Sequence, residues 1–342
     1  MSQAPDPHAA VRLRLLGASD ALRFAAIELE RYAGRVFGAC PAAAPAFELG
    51  LFADPAVRRN LEEQGLGQGD WVLGDEGYAI VTEPGRVRLY GARPRAVLYA
   101  VYDFLRDVCG CEFALSIDGV ERVPAWPGRA WPTMRRLESP VFPERGFGLH
   151  GGRVAGPDLL VAWIDWLAKL KFNRIQFDMG LWEEQAALLR PRLAERDLDL
   201  DLGIHSLNRF LPEKPYAEAH PDWFASVTSR FGRQLRFSNL ASVPVVVENA
   251  LRWLERFPEM KVLGLWPLDG TGFDPAEMAT GEMGDRVLAY VNAVAERLAA
   301  ARPDLRFDHL AYVGYVSPPK RTRPHPAIVT SVCHYWDRGF NQ

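Results

Sequence analysis

The stretch that most constrains this chain is Val262 to Phe273, which reads VLGLWPLDGTGF. Val262, Leu263, Leu265 and Trp266 form a nearly continuous apolar run, the pattern of a buried strand, and Pro267 ends it because proline cannot donate to a strand ladder. Asp269 then enters a Gly-Thr-Gly turn. Helical periodicity flanks the run, from Val243 to Phe257 before it and from Gly284 to Ala301 after it. A buried strand between two helices is a βα unit, and in a parallel barrel the carboxyl ends of the strands build the active site, which is where Asp269 falls. A plain turn role suits the same residue, since Asp-Gly is a common turn pair.

The alternation extends on both sides of this unit. GFGLHGG (146–152), a helix from Asp158 to Leu170, NRIQFDM (173–179), a helix from about Glu183 to Glu195 and LDLGIHS (200–206) precede a long irregular insertion at 207–242. After the central strand come FDHLAYVGY (307–315) and a last strand, Ile328 to Val332. Six strands in βα order, with no Gly-rich phosphate loop after the first, argue for a (β/α)8 TIM-type barrel over a doubly wound sheet. A closed barrel of this type has eight strands, so the expectation is a fragment truncated after about six. Its first and sixth strands then lack neighbours, and such edges favour self-association.

Ahead of the barrel pattern lies a smaller unit. VRLRLL (11–16) reads as a half-exposed strand, Ser19 or Asp20 caps a helix to about Phe37, and FELGLF (47–52) is the next strand. A short charged helix follows, and then Tyr78–Thr82 and Val87–Tyr90 form a hairpin around Glu83-Pro84-Gly85-Arg86. From Pro94 onward, Val97, Leu98, Val101, Tyr102, Leu105 and Val108 share one helical stripe, which ends at Gly110. Residues 1–117 are thus expected to be a small α/β sandwich domain. Residues 118–144 show no sustained period and read as a linker; Trp126, Trp131 and Phe142 are costly to leave in water, so it is expected to be ordered and packed. The barrel takes residues 145–342.

Composition narrows the function classes. A length of 342 residues exceeds the roughly 250–300 at which single cores stop growing, in keeping with two domains. Lys and Arg total 40 against 43 Asp and Glu, so no basic surplus exists to hold a nucleic-acid backbone. Apolar runs fall short of the ~20 residues that span a bilayer, and residues 1–10 have neither a basic nor an apolar signal region, which leads to the expectation of a cytoplasmic protein without a membrane partner. Cys40, Cys109, Cys111 and Cys333 have the spacing of neither a disulfide framework nor a zinc site and read as reduced thiols. Ten Trp and ten Tyr supply plates that suit sugar faces as well as cores.

The residues at the strand ends are His150, Asp178, His205, Asp269, Tyr312 with Tyr315, and His334 with Asp337. All are polar. Trp182, Trp266, Tyr335 and Trp336 accompany them. Carboxylates, imidazoles and aromatic plates around one mouth suit hydrolysis of a glycosidic bond, where one acid protonates the leaving oxygen and a second carboxylate attacks or activates water. The candidate catalytic residues are therefore Asp269, Asp178, Glu277 and Asp337, and the candidate substrate-binding residues are His150, His205, Trp182, Trp266, Tyr312, Tyr315 and His334. No cofactor is called for. Three histidines on different strands also resemble the ligand supply of a metal-dependent barrel hydrolase, although the paired HxH on one strand is missing.

Two stretches carry a family resemblance. GYAIVTEPGRVRLYGARPRAVLYAVYDFL, from Gly77 through Leu105, resembles the non-catalytic α/β domain that precedes the barrel in family 20 hexosaminidases and family 67 α-glucuronidases. HPDWFA (220–225), RQLRFSN (233–239) and the strand ending LDGTG resemble a bacterial family related to both, domain of unknown function 4838. The resemblance implies a site at the barrel mouth. In family 20 the fourth strand delivers an adjacent Asp-Glu pair, the Glu as general acid and the Asp steering the substrate's acetamido group; here it delivers Asp269-Gly270, so that chemistry does not carry over. Glu277 or Asp274 can supply an acid only if the following loop folds back. The readings are thus a glycoside hydrolase or hydrolase-like protein acting on an oligo- or polysaccharide, a carbohydrate-binding protein that lost the acid, or a metal-dependent hydrolase.

Overall fold

A computed structural model of the chain describes residues 12–38, 41–66, 73–115, 121–149 and 156–333. They fall into two compact units, one of residues 1–147, 152–175 and 184–198, the other of 148–151, 176–183 and 199–342.

The first unit is built on a five-stranded mixed sheet. Its elements are β1 (Leu13–Leu16), α1 (Asp20–Phe37), β2 (Ala46–Leu51), α2 (Pro55–Glu63), β3 (Tyr78–Glu83), β4 (Arg86–Gly91), α3 (Pro94–Asp107) and β5 (Met134–Glu138), in the sheet order β1-β2-β4-β3-β5. Ser19 begins α1 by accepting the Leu22 N–H, and Asp54 begins α2 by accepting from Ala56, each satisfying a donor that has no partner within its helix. Alternation along the strands sorts the two faces. Phe47 of β2 meets Phe104 of α3, whereas Ala79, Val81 and Tyr90 pack with Val57 and Leu61 of α2. The stretch read as a linker contributes β5, which pairs antiparallel to β3. Trp126 and Trp131 stack at 4.5 Å and pack on Phe37. Phe142 corrects the expectation of burial: it is 70% exposed, beyond the end of β5.

A second, six-stranded sheet follows, in the order β11-β10-β9-β8-β7-β6. Its elements are β6 (Gly146–Leu149), α4 (Pro157–Lys169), β7 (Arg174–Phe177), α5 (Met179–Glu195), β8 (Asp199–Leu202), α6 (Leu207–Phe210), α7 (Glu213–Ala219), α8 (Val243–Arg256), β9 (Met260–Gly264), α9 (Pro275–Met278), α10 (Met283–Ala301), β10 (Arg306–Ala311) and β11 (Ile328–Val332). Neighbouring strands from β8 to β11 pair parallel, and sequence order equals spatial order, so each crossover advances by one strand. That is the mixed α/β class read from the sequence, with a sheet of its own for the N-terminal part. The division into units runs through β6, β7 and α5: the carboxyl ends of β6 and β7 and the start of α5 lie in the second unit, whereas α4 and α5 from Glu184 on lie in the first. No helix among the described residues is long and apolar enough to cross a membrane.

The central strand is shorter than its apolar run. β9 stops at Gly264, and although Leu265 still donates to the Asp308 carbonyl at 2.8 Å, Pro267 has no N–H with which to continue. Asp269 therefore stands on a loop five residues past the strand.

Candidate functional site

The ends of β8 and β9 are fastened to one another. Gly203 has φ +114°, which is unfavourable for any residue with a side chain, and its backbone lies so close to Gly264 that a methyl at 203 would sit 2.6 Å from the Gly264 oxygen. Beyond this contact the Ser206 hydroxyl donates to the Gly264 carbonyl, and the Leu207 N–H donates to the Trp266 carbonyl at 3.2 Å. His205, between Gly203 and Ser206, has φ +52° and its Nδ1 2.6 Å from the Pro267 carbonyl. A carbonyl only accepts, so Nδ1 carries a hydrogen and Nε2 is the atom left for chemistry.

Nε2 of His205 lies 4.0 Å from Asp269 Oδ1, an ion-pair distance longer than a hydrogen bond. The Tyr312 hydroxyl donates to the same oxygen at 3.1 Å, bringing the end of β10 to the site. Val313, immediately after it, has φ +43°, a strained conformation for a β-branched residue. The Asp269 side chain remains 35% exposed and that of His205 25%, so both are open to solvent. A carboxylate, an imidazole with a fixed tautomer and a phenol thus converge from the ends of three adjacent strands. Such a group can hold hydroxyls and exchange a proton with them.

The other sequence candidates stand elsewhere. Asp178 Oδ1 accepts the N–H groups of Gly180 and Leu181 at 2.8 and 3.2 Å, capping the start of α5. Trp182 is fully buried and stacks on Phe177, so it offers no open face as a sugar plate. Trp266 is buried too, with its indole N–H on Asp308 at 3.1 Å and its ring against His205. Tyr315, expected at the mouth, turns into the core in a short helical turn and packs on Phe273. Glu277 is buried where its loop folds inward, with Oε1 accepting the Ser238 N–H at 2.6 Å. Asp274 is likewise enclosed, bound to Arg236 at 2.6 Å and to the Ser226 N–H at 3.0 Å. His150, His334 and Asp337 lie outside the described residues, as do Tyr335 and Trp336. Among the described residues no three His, Cys, Asp or Glu side chains form a group suited to a metal ion.

Sequence reasoning missed Gln234. Wholly buried, its amide donates to the Leu268 carbonyl at 2.8 Å and accepts the Leu268 N–H at 3.1 Å. This pair of hydrogen bonds between amides fixes the irregular insertion to the residue before Asp269. No periodic signal marks Gln234, because its partner is 34 positions away.

Two carboxylates give the surrounding loops an acid limit. The Arg236 guanidinium holds Asp274 well below the usual carboxylate range, and the N–H groups of Lys320 and Arg321, with Thr322 beside them, do the same for Asp285. For a depressed carboxyl pKa, the stabilisation is fully present above the unfolded value of ~3.9 and is lost as pH falls through the folded value. Both loops are expected to hold at pH 5 and loosen only below about pH 4. Amide chemical shifts of Ser226, Arg321 and Thr322 followed from pH 6 to 2 check this; a transition above pH 5 would show that these carboxylates do not hold the loops.

Residues 171–340 match the family model described as Domain of unknown function (DUF4838). No curated protein matches the chain. Among solved structures it is similar to the GH20 β-N-acetylhexosaminidase from Streptomyces coelicolor A3(2), at 15% identity over 94% of this chain and 65% of that one, with a TM-score of 0.57. For the β-N-acetylhexosaminidase from Bacteroides fragilis NCTC 9343 the values are 17%, 82%, 64% and 0.52. CpGH89 from Clostridium perfringens, solved with its substrate GlcNAc-alpha-1,4-galactose, gives 12%, 86%, 37% and 0.57. The chain thus spans less than two thirds of the length of these structures, and identities this low establish the fold alone. The fold is hexosaminidase-like and residues 171–340 match the DUF4838 model, as the sequence resemblance implied, whereas no family 67 α-glucuronidase is among these structures.

Proposed function

We propose that the chain is a hexosaminidase-like N-terminal domain (1–117), an ordered connection (118–144) and six strands of an eight-stranded (β/α) barrel (145–342) from a glycoside hydrolase acting on an oligo- or polysaccharide. Asp269 is its principal carboxylate, and His205 and Tyr312 hold substrate hydroxyls beside it. The observation that carries this reading is the convergence of these three partly open groups just past the carboxyl ends of adjacent parallel strands, where barrels of this class place their chemistry. Support comes from the likeness in fold to glycosidases of two families.

A second reading, a carbohydrate-binding protein without hydrolysis, is favoured by one feature. A glycosidase needs two carboxyl groups roughly 5 to 9.5 Å apart, yet Gly270 follows Asp269, Asp178 caps a helix and Glu277 is enclosed. The test is a screen of the protein against chromogenic α- and β-glycosides, including glucuronides and N-acetylhexosaminides, with binding of unmodified oligosaccharides followed by NMR. Cleavage supports the first reading, and binding without cleavage the second. Neither cleavage nor binding would sink both.

The sheet order also bears on assembly. β6 and β11 are the edges of the second sheet, and an uncovered edge offers a row of backbone donors and acceptors to another chain. The isolated chain is expected to associate as its concentration rises in sedimentation velocity. A monomer at every concentration would show that those edges are covered.

A further inference from the structure

The insertion between β8 and α8 carries a tight hairpin whose tip is Arg230 and Phe231. Ser229 and Gly232 exchange backbone hydrogen bonds of 2.9 and 3.1 Å, and the Ser229 hydroxyl accepts the Phe231 N–H at 3.1 Å. Two-residue turns ordinarily carry small or polar residues, but this one presents a phenylalanine that is 44% exposed. The hairpin is firmly mounted. Gln234 is bonded twice to Leu268, Arg236 is paired with Asp274, and Gly272 comes so near Ser229 that a methyl at 272 would lie 2.9 Å from its Cβ. The ring edge of Phe231 lies 4.0 Å from where a Cβ on residue 270 would begin, so the ring borders the residue that follows Asp269. Single exposed apolar side chains are ordinary on protein surfaces. This one is set apart by its rigid mounting beside an open carboxylate.

We infer that Phe231 is an aromatic platform for a sugar ring adjoining the one held at Asp269, so that the site takes at least a disaccharide. The inference rests on the carbohydrate reading of Asp269. Pyranose rings present a face of C–H groups, which packs on an aromatic ring while the hydroxyls at the rim stay wet. The Arg230 guanidinium carbon lies over the Phe231 ring, 4.5 Å from its centroid, so it takes one face of the ring and a sugar would pack on the other.

The test uses β-1,4-linked GlcNAc, glucose and xylose as mono-, di- and trisaccharides, titrated by NMR into the wild type, Phe231→Ala, Phe231→Trp and Asp269→Asn. Phe231→Ala is expected to weaken the di- and trisaccharides about tenfold, which is one aromatic contact of ~1.4 kcal/mol, while leaving the monosaccharide unchanged; Phe231→Trp restores them. Saturation transferred from wild-type aromatic protons to the second sugar ring gives a readout that needs no variant. Equal affinity of Phe231→Ala and wild type for the longer sugars, or equal loss for all lengths, overturns the platform and leaves Asp269 in place. Should the wild type bind none of the sugars, the carbohydrate reading falls and the platform with it.

Discussion

Asp269→Asn is expected to lower glycoside cleavage by ~10² or more, the usual effect of losing one acid or base, while thermal stability stays nearly unchanged. The substitution keeps shape and the acceptor that Tyr312 uses at 3.1 Å, but it removes the charge facing His205 and the capacity to exchange a proton. Stability is expected to shift by no more than about 0.5 kcal/mol, because a side chain 35% exposed, with one described hydrogen bond, contributes little to the core. Steady-state rates on whichever chromogenic glycoside the wild type cleaves, with a thermal melt of both proteins, decide it. Full activity in the variant would reduce Asp269 to a turn residue and remove the anchor of the hydrolase reading. Lost activity with a collapsed melt would make its role structural.

Ser19 before an apolar helical stripe, and Pro84-Gly85 between two alternating runs, are local signals; α1 and the β3–β4 hairpin stand where those signals put them. The same holds for the six strands from β6 to β11, with helices between successive strands from β6 to β10. β5 escaped notice because MRRLE carries no alternation and becomes a strand only by pairing with β3. Past a strand end, periodicity no longer says which way a side chain points. Trp182, Trp266 and Tyr315 therefore read as mouth residues, although packing on Phe177, His205 and Phe273 takes them inside. For Asp269, His205 and Tyr312 the strand-end position sufficed to mark each as a candidate, whereas their meeting around one carboxylate oxygen depends on how three loops close. Gln234 and Phe231 lie in a segment with no period at all, and only contacts across the fold distinguish them.

The fastening of β8 to β9 yields the second large effect. Gly203→Ala is expected to destabilise the protein by about 3 kcal/mol or more, since two costs combine at one position. The backbone at φ +114° is open to glycine and strained for alanine by ~1–3 kcal/mol, and the new methyl would stand 2.6 Å from the Gly264 oxygen and 2.9 Å from its nitrogen. Those are backbone atoms of a buried strand, which cannot swing away as a flexible side chain does, so overpacking adds a further ~1–3 kcal/mol. Gly270→Ala is the control. It shares a positive φ, +77°, but its methyl would meet only the Phe231 ring at 4.0 Å, and the expected cost is about 1–2 kcal/mol. Melting should fall by roughly 6–12 °C for Gly203→Ala and clearly less for Gly270→Ala. A second consequence distinguishes the contact from mere bulk. Relieving the clash separates the ends of β8 and β9, which carries His205 away from Pro267 and Asp269, so oligosaccharide binding by the fraction still folded should weaken as well. A Gly203→Ala protein that melts and binds like the wild type would show that the two strand ends are not held together in this way, and that His205 does not owe its place to them.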